Sequence, residues 1–222
     1  MRIHLRTTPN DELVSFDYQR KLVGTLHKWL GSDNDEHGNL SLYSFSWLQD
    51  GMKYGNGLTF VKGAHWFISF YDEARIRRIV KNILDDPEMF SGMCVSDVVI
   101  EETPDLSKRN LFYLGSPVFV KKLDRECGEA KQLTFNDKEA NDLMTQTLLH
   151  KMKVAGLSSD ESLSIRFDLS YVKKKTKLLT YRGIGNRTSM CPVLIDGKPE
   201  TKAFAWNVGI GNSTGIGFGS IY

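Results

Sequence analysis

The sequence predicts an α+β protein made of two βαββαβ units in tandem. Three observations predict it: a strand–helix–strand–strand–helix–strand order in the first hundred residues, a restart of that order after a polar stretch near residue 105, and a length of 222 residues, enough for two small domains. Residues 2 to 7 alternate as a half-buried strand does, with Ile3 and Leu5 on one face and Arg2, His4 and Arg6 on the other. Residues 16 to 30 place Leu22, Val23, Leu26, Trp29 and Leu30 on one helical stripe, which Gly31 ends. Leu40 to Phe45 and Trp66 to Phe70 have the aromatic richness of strands. Asp72 is placed to cap a second helix whose stripe is Ile76, Ile79, Val80, Ile83 and Leu84. Pro87 and Gly92 separate that helix from a strand over Val95 to Ile100. This order is that of a ferredoxin-like fold.

Pro104-Asp105-Leu106-Ser107-Lys108-Arg109 marks the boundary, so residues 1–104 form one ferredoxin-like domain and 110–222 a second. In the second, Pro117 to Lys121 reads as a strand, and Asn136 with Glu139 reads as a capping-box start. Ala140, Leu143, Met144, Leu148 and Met152 then follow at helical spacing. Strands are expected at Leu163 to Phe167, Leu178 to Arg182, Val193 to Ile195 and Ala203 to Val208. The expectation is thus two tandem ferredoxin-like domains, the second with extra strands and a C-terminal glycine-rich loop.

Composition narrows the function classes. Hydrophobic residues at 41% and charged residues at 25% are ordinary for a soluble globular protein. No run of 18 apolar residues exists, which excludes an apolar membrane-spanning helix. The first six residues alternate and then turn polar, unlike a signal peptide. Cys94, Cys127 and Cys191 are odd in number and far apart, which fits neither a disulfide framework nor a cysteine zinc site. The expectation is a cytoplasmic protein with no metal, no cofactor and no membrane partner.

The net charge of +2 conceals where the charge sits. Between Asp168 and Asp196 there is no acidic residue, while Lys173, Lys174, Lys175, Lys177, Arg182 and Arg187 all fall there. Isolated lysines are solvated surface. A long window of one sign in a balanced chain points instead to a polyanion, since clustered cations release counterions condensed on phosphates. Tyr171 and Tyr181 flank or enter the window and are candidates to stack on bases. Arg182 and Arg187 suit bidentate phosphate contacts better than the lysines.

The chain closes on Gly209-Ile210-Gly211-Asn212-Ser213-Thr214-Gly215-Ile216-Gly217-Phe218-Gly219. It is neither a dinucleotide fingerprint, which opens a helix inside a βαβ unit, nor a Walker A loop, which needs Gly-Lys-Ser or Gly-Lys-Thr. A simple turn into a last strand over Ile216 to Ile221 needs one or two glycines, whereas Gly209, Gly211, Gly215, Gly217 and Gly219 recur here. A loop that hugs a nucleic-acid backbone uses such freedom, because no Cβ blocks the approach of its amides.

This tail, above all Gly215-Ile216-Gly217-Phe218-Gly219, resembles the C-terminal motif of the CRISPR-associated endoribonucleases that process precursor CRISPR RNA. The stretch from His27-Lys28-Trp29-Leu30 through His37-Gly38 to Leu42-Tyr43-Ser44-Phe45-Ser46-Trp47-Leu48 is similar to the family's N-terminal helix, histidine-bearing loop and strand. The resemblance implies two tandem ferredoxin-like domains and a metal-independent cut within the repeat, leaving a 2′,3′-cyclic phosphate and a 5′-hydroxyl. It implies CRISPR repeat RNA as partner, with proteins of a CRISPR effector complex and a second copy in a homodimer as further candidates. The competing expectation is a non-catalytic RNA-binding subunit of such a complex, which shares fold and tail.

Such a cut needs a base for the 2′-hydroxyl, an acid for the 5′-oxygen and donors for the developing charge. Imidazole titrates near neutral pH and suits both roles. His37, in the polar loop 32–38, and His27, on the flank of the first helix, are the catalytic candidates, with base and acid unassigned. The family often carries a tyrosine near the place of His27 and a lysine before the following strand, where this chain reads Asn39-Leu40-Ser41. Lys28, Tyr43 and Lys53 are therefore the candidate charge stabilisers. His150 suits a helix C-terminus, His65 reads as structural, and His4, beside Arg2 and Arg6, as an RNA contact.

Overall fold

The computed structural model describes residues 1–31, 40–123 and 130–222. The N-terminal unit runs β1 (Arg2–Thr7), β2 (Val14–Ser15), α1 (Gln19–Leu30), β3 (Tyr43–Phe45), β4 (Met52–Tyr54), β5 (Gly57–Thr59), β6 (His65–Phe70), α2 (Glu73–Asp85) and β7 (Val95–Glu101). Its main sheet has the order β3-β6-β1-β7, all neighbours antiparallel, which is the ferredoxin-like arrangement. The alternation in β1 decides the layering. Ile3 and Leu5 face a buried core with Leu22, Leu26 and Trp29 of α1, Trp66 and Ile68 of β6, and Ile76, Ile79 and Ile83 of α2. Each such side chain contributes about 1.5–3 kcal/mol on burial.

Asp72 caps α2 as expected, its Oδ1 accepting from the Ala74 amide at 2.9 Å. Leu84, expected on the α2 stripe, is 76% exposed, because the inward arc closes on Ile76, Ile79 and Ile83. The small sheet β2-β5-β4 lies beside the main one.

The C-terminal unit runs β8 (Leu111–Phe112), β9 (Val120–Leu123), β10 (Ala130–Leu133), α3 (Glu139–Val154), β11 (Ser164–Phe167), β12 (Lys175–Tyr181), β13 (Ile184–Met190), β14 (Val193–Asp196), α4 (Pro199–Val208) and a 3₁₀ turn at Thr214–Ile216. Its central sheet is β11-β14-β8, extended by a bridge from Leu114 to Ile221. That is the ferredoxin-like order again, with the last strand reduced to a bridge. The hairpins β9–β10 and β12–β13 are the extra strands.

Three expectations change here. Ala203 to Val208 is helix rather than strand: Pro199 starts α4 at its first turn, and Phe204, Ala205, Trp206 and Val208 are all buried, so no polar face betrays the helical period. The first strand of this unit is Leu111–Phe112, whereas Val120–Leu123 belongs to an inserted hairpin. Helix α3 starts at Glu139 without a side-chain cap, because the turn before it is organised by Asp137, whose Oδ2 accepts from the Thr134 amide at 2.9 Å. The boundary stretch is tied down by Leu106, buried in the second core, and by Arg109, whose guanidinium lies 4.9 Å from the Phe112 ring centroid.

Arg2 joins the units. It is 2% exposed, and its guanidinium sits between the rings of Phe67, 4.0 Å away, and Trp206, 3.6 Å away. It donates to Ser69 Oγ at 2.7 Å and to the carbonyls of Trp206 and Ile221 at 3.0 and 2.7 Å. Burial lowers its pKa to about 9. No helix among the described residues is long and apolar enough to cross a membrane.

Candidate nucleic-acid interface

The glycine-rich tail fills the seam between the units. Three N-terminal side chains donate to its carbonyls: Tyr43 hydroxyl to Gly215 at 3.2 Å, Gln19 Nε2 to Ile216 at 2.5 Å and Trp47 Nε1 to Gly217 at 2.9 Å, while Ser44 Oγ donates to the Asn207 carbonyl of α4 just before it at 3.1 Å. Gly209, Gly211, Gly215, Gly217 and Gly219 are all buried. A Cβ on Gly215 would stand 2.1 Å from Ser41 Oγ, and one on Gly219 would stand 1.9 Å from the Ile210 carbonyl oxygen. The amides of Gly209, Gly217 and Gly219 donate to the carbonyls of Ala205, Thr214 and Pro117. The close approach that glycine permits is made here to the protein itself. Lys151, 2% exposed, adds a strut, donating to the Val208 carbonyl at 3.0 Å and to Thr214 Oγ1 at 2.9 Å. Burial lowers its pKa to about 7.

His27 lies half-buried in the last turn of α1, the helix whose first residue, Gln19, holds the tail. His37 lies outside the described residues. Lys28 is committed elsewhere, donating to Asp86 Oδ2 at 2.9 Å and to the Glu88 carbonyl at 2.6 Å. Tyr43 is buried, with its hydroxyl on Gly215. Lys53 is exposed on β4, in the small sheet. His150 is exposed near the end of α3.

The basic window is a two-stranded ribbon. Tyr181 pairs with Ile184 across Arg182 and Gly183, which have φ of 50° and 80°, the positive pair a type I′ turn requires. Lys173 and Lys175 are exposed at its base and Lys174 half-buried. Lys177 Nζ lies 5.5 Å from the Trp47 ring centroid, and Tyr181 packs on the N-terminal core. Leu178, Leu179 and Thr180 border a pocket with Phe16, Gln19 and Trp47. The ribbon therefore reaches from the C-terminal unit onto the start of α1. Arg182 lies over Tyr181 and Arg187 is exposed on β13. The sequence does not single out Trp47 and Gln19 as holding the seam; their signal, a tryptophan after a short strand and a glutamine opening a helix, is generic.

On the face of the N-terminal sheet turned away from its helices, the face that also carries Arg2, His4 Nε2 lies 2.7 Å from Glu101 Oε2, and His65 Nδ1 lies 3.2 Å from Gln49 Oε1. Among the described residues no three His, Cys, Asp or Glu side chains cluster as metal ligands would.

Residues 101–222 match the family described as "CRISPR associated protein Cas6, C-terminal". No curated protein matches the sequence. Among solved structures, the chain is similar to "CRISPR associated protein Cas6" at 20% identity and a TM-score of 0.84, covering 100% of this chain and 98% of that one. It is similar to the protein of "Characterization of a Cas6-related gene from Pyrococcus furiosus" at 22% and 0.83, covering 100% and 97%. It is also similar to "An RAMP protein binding different RNA substrates" at 21% and 0.85, covering 100% and 98%. These likenesses show the tandem ferredoxin-like fold. With the family match extending over more than half of its residues, this chain belongs to the Cas6 family of CRISPR-associated proteins.

Proposed function

We propose that the chain is a metal-independent endoribonuclease that cleaves within the repeats of precursor CRISPR RNA. The 2′-hydroxyl attacks the adjacent phosphorus as a base takes its proton, the P–O5′ bond breaks, and an acid protonates the leaving oxygen. The products carry a 2′,3′-cyclic phosphate and a 5′-hydroxyl. His37 and His27 are the proposed acid–base pair, an assignment that rests on the family resemblance and on imidazole chemistry. Lys28 is engaged by Asp86 and Tyr43 by Gly215, which leaves Lys53 as the most accessible candidate stabiliser. The proposed division of labour follows the two units, 1–104 for chemistry and 110–222 for holding the RNA.

The observation that carries this reading is the ribbon β12–β13. It is rich in cations, lacks any acid, and lies against the start of the helix whose far end bears His27. RNA phosphates gripped along it lead onto the N-terminal unit. The tail supports the reading by locking the two units in one arrangement.

The test is a cleavage assay with repeat RNA in excess EDTA, with both product ends mapped. A single cut leaving a cyclic phosphate is expected, and His37→Ala removes cutting while leaving affinity nearly intact. A 2′-deoxy nucleotide upstream of the scissile phosphate blocks cutting but not binding. Tight binding without cutting would overturn the nuclease in favour of an RNA-holding subunit of a CRISPR effector complex.

A further inference from the structure

A cluster of tyrosines lies at the base of the ribbon. Tyr113 and Tyr222 face each other across a narrow antiparallel pairing, each amide donating to the other's carbonyl at 2.9 Å. Their rings lie 6.1 Å apart and tilted by 32°, and remain 42% and 44% exposed. Tyr171 meets Tyr113 edge-on at 6.3 Å. The row continues through Phe67, 6.3 Å from Tyr222, to His4, 6.0 Å from Phe67, so aromatic rings span both units. Beside the tyrosines is a pocket of about 260 Å³ walled by Lys173 and Lys175. Cys191 also lines it, a buried residue whose thiol donates to the Asp168 carbonyl at 3.3 Å and is pushed up to about 11, first by burial.

We propose that this pocket takes one unpaired nucleotide of the bound RNA, its base held among the rings of Tyr113, Tyr171 and Tyr222 and its flanking phosphates on Lys173 and Lys175. The inference rests on the nuclease reading and adds a place where the RNA must be single-stranded. Charge complementarity selects the occupant: both charged side chains lining the pocket are cationic and no acidic side chain lines it. Partly exposed rings offer a π-face to any base. The pocket is smaller than the roughly 300–1,000 Å³ of sites for larger ligands. A paired base cannot enter, since duplex RNA keeps its bases stacked inside.

The experiment measures affinity of the whole chain for repeat RNAs that carry one abasic site at each position in turn. At one unpaired position the unmodified protein should lose about tenfold, the scale of a base–aromatic stack. Tyr171→Ala should bind intact RNA about tenfold more weakly and lose nothing further at that position, while Tyr171→Phe, which keeps the ring, should match the unmodified protein. Thermal unfolding of Tyr171→Ala checks that the turn bearing it still folds. An RNA that is bound and cut but gives a flat abasic series overturns the pocket alone, as does an abasic loss that persists in Tyr171→Ala. Failure of the unmodified protein to bind any of these RNAs overturns the nuclease reading and the pocket with it.

Discussion

His4 Nδ1 lies 3.0 Å from His65 Nε2, and the two imidazoles are stacked within 2° of parallel. The residues are diagonal neighbours on β1 and β6, since His4 pairs with Phe67 and Arg6 with His65. With Glu101 Oε2 at one end and Gln49 Oε1 at the other, the two imidazoles form a continuous chain of ring-nitrogen contacts across the sheet.

The pKa of His65 lies below the ordinary histidine value. Burial lowers its pKa first, then the neighbouring His4 and Arg6, against a smaller opposing pull from Asp50. Because the folded state holds this proton less tightly than the unfolded chain, stability falls as pH drops below the ordinary histidine value of 6.5. Denaturant midpoints measured from pH 7 down to pH 5, roughly the histidine range, should fall less for His65→Gln than for the unmodified protein. Equal slopes would show that His65 is not the group responsible.

Lys151 gives the opposite end of the pH scale. Its pKa falls from 10.5 unfolded to about 7 folded, because burial penalises the ammonium. Between those values the unfolded chain binds more protons, so stability rises with pH across that window. In Lys151→Met that rise should disappear, which urea unfolding at the two ends of the window measures. A rise of the same size in the variant would place its cause elsewhere.

Arg182 sits in a strained position. It holds φ of 50° in a turn that Asn would fill with less strain. Arg182→Asn should raise stability by roughly 0.5–1 kcal/mol, the scale of a local backbone preference. The same change should weaken RNA binding and reduce its salt slope by about 0.7, one phosphate contact on a single strand. Stability without loss of binding would mean the arginine tip faces only water.

Two glycines should respond in opposite directions. Gly24 lies in α1 with nothing within 4 Å of where an alanine methyl would stand, so Gly24→Ala should stabilise by about 0.5–1 kcal/mol. Gly219 holds φ of 66° with the Ile210 carbonyl in the way, so Gly219→Ala should cost more than about 2 kcal/mol. Thermal unfolding of the two variants side by side checks both.

How far the sequence could be read follows from where each signal originates. Strand β1, helices α1 and α2, and the capping Asp72 were legible because alternation, helical spacing and a cap are local properties. Helix α4 was not, since burial on all sides leaves Phe204, Ala205 and Trp206 without a polar face to set the period. The cations of the ribbon were visible as charge, but their reach to Trp47 depends on a pairing of strands and a packing of units. The glycines were visible as a pattern. Their seat on Ser41, Ser44, Tyr43 and Trp47 depends on residues more than 160 positions away, as the 172-residue separation of Tyr43 and Gly215 shows.

The Arg2 clamp has a consequence for the order of folding. Its carbonyl partners on Trp206 and Ile221 lie 204 and 219 residues further along the chain. The N-terminal sheet can form as soon as β7 exists, yet the cation on its first strand stays hydrated until Trp206 and Ile221 have been synthesised. Contacts of such sequence separation are slow to form and come late. During synthesis the open faces of Phe67 and Ser69 are therefore exposed to other chains, and closure of the two units is the step that removes them.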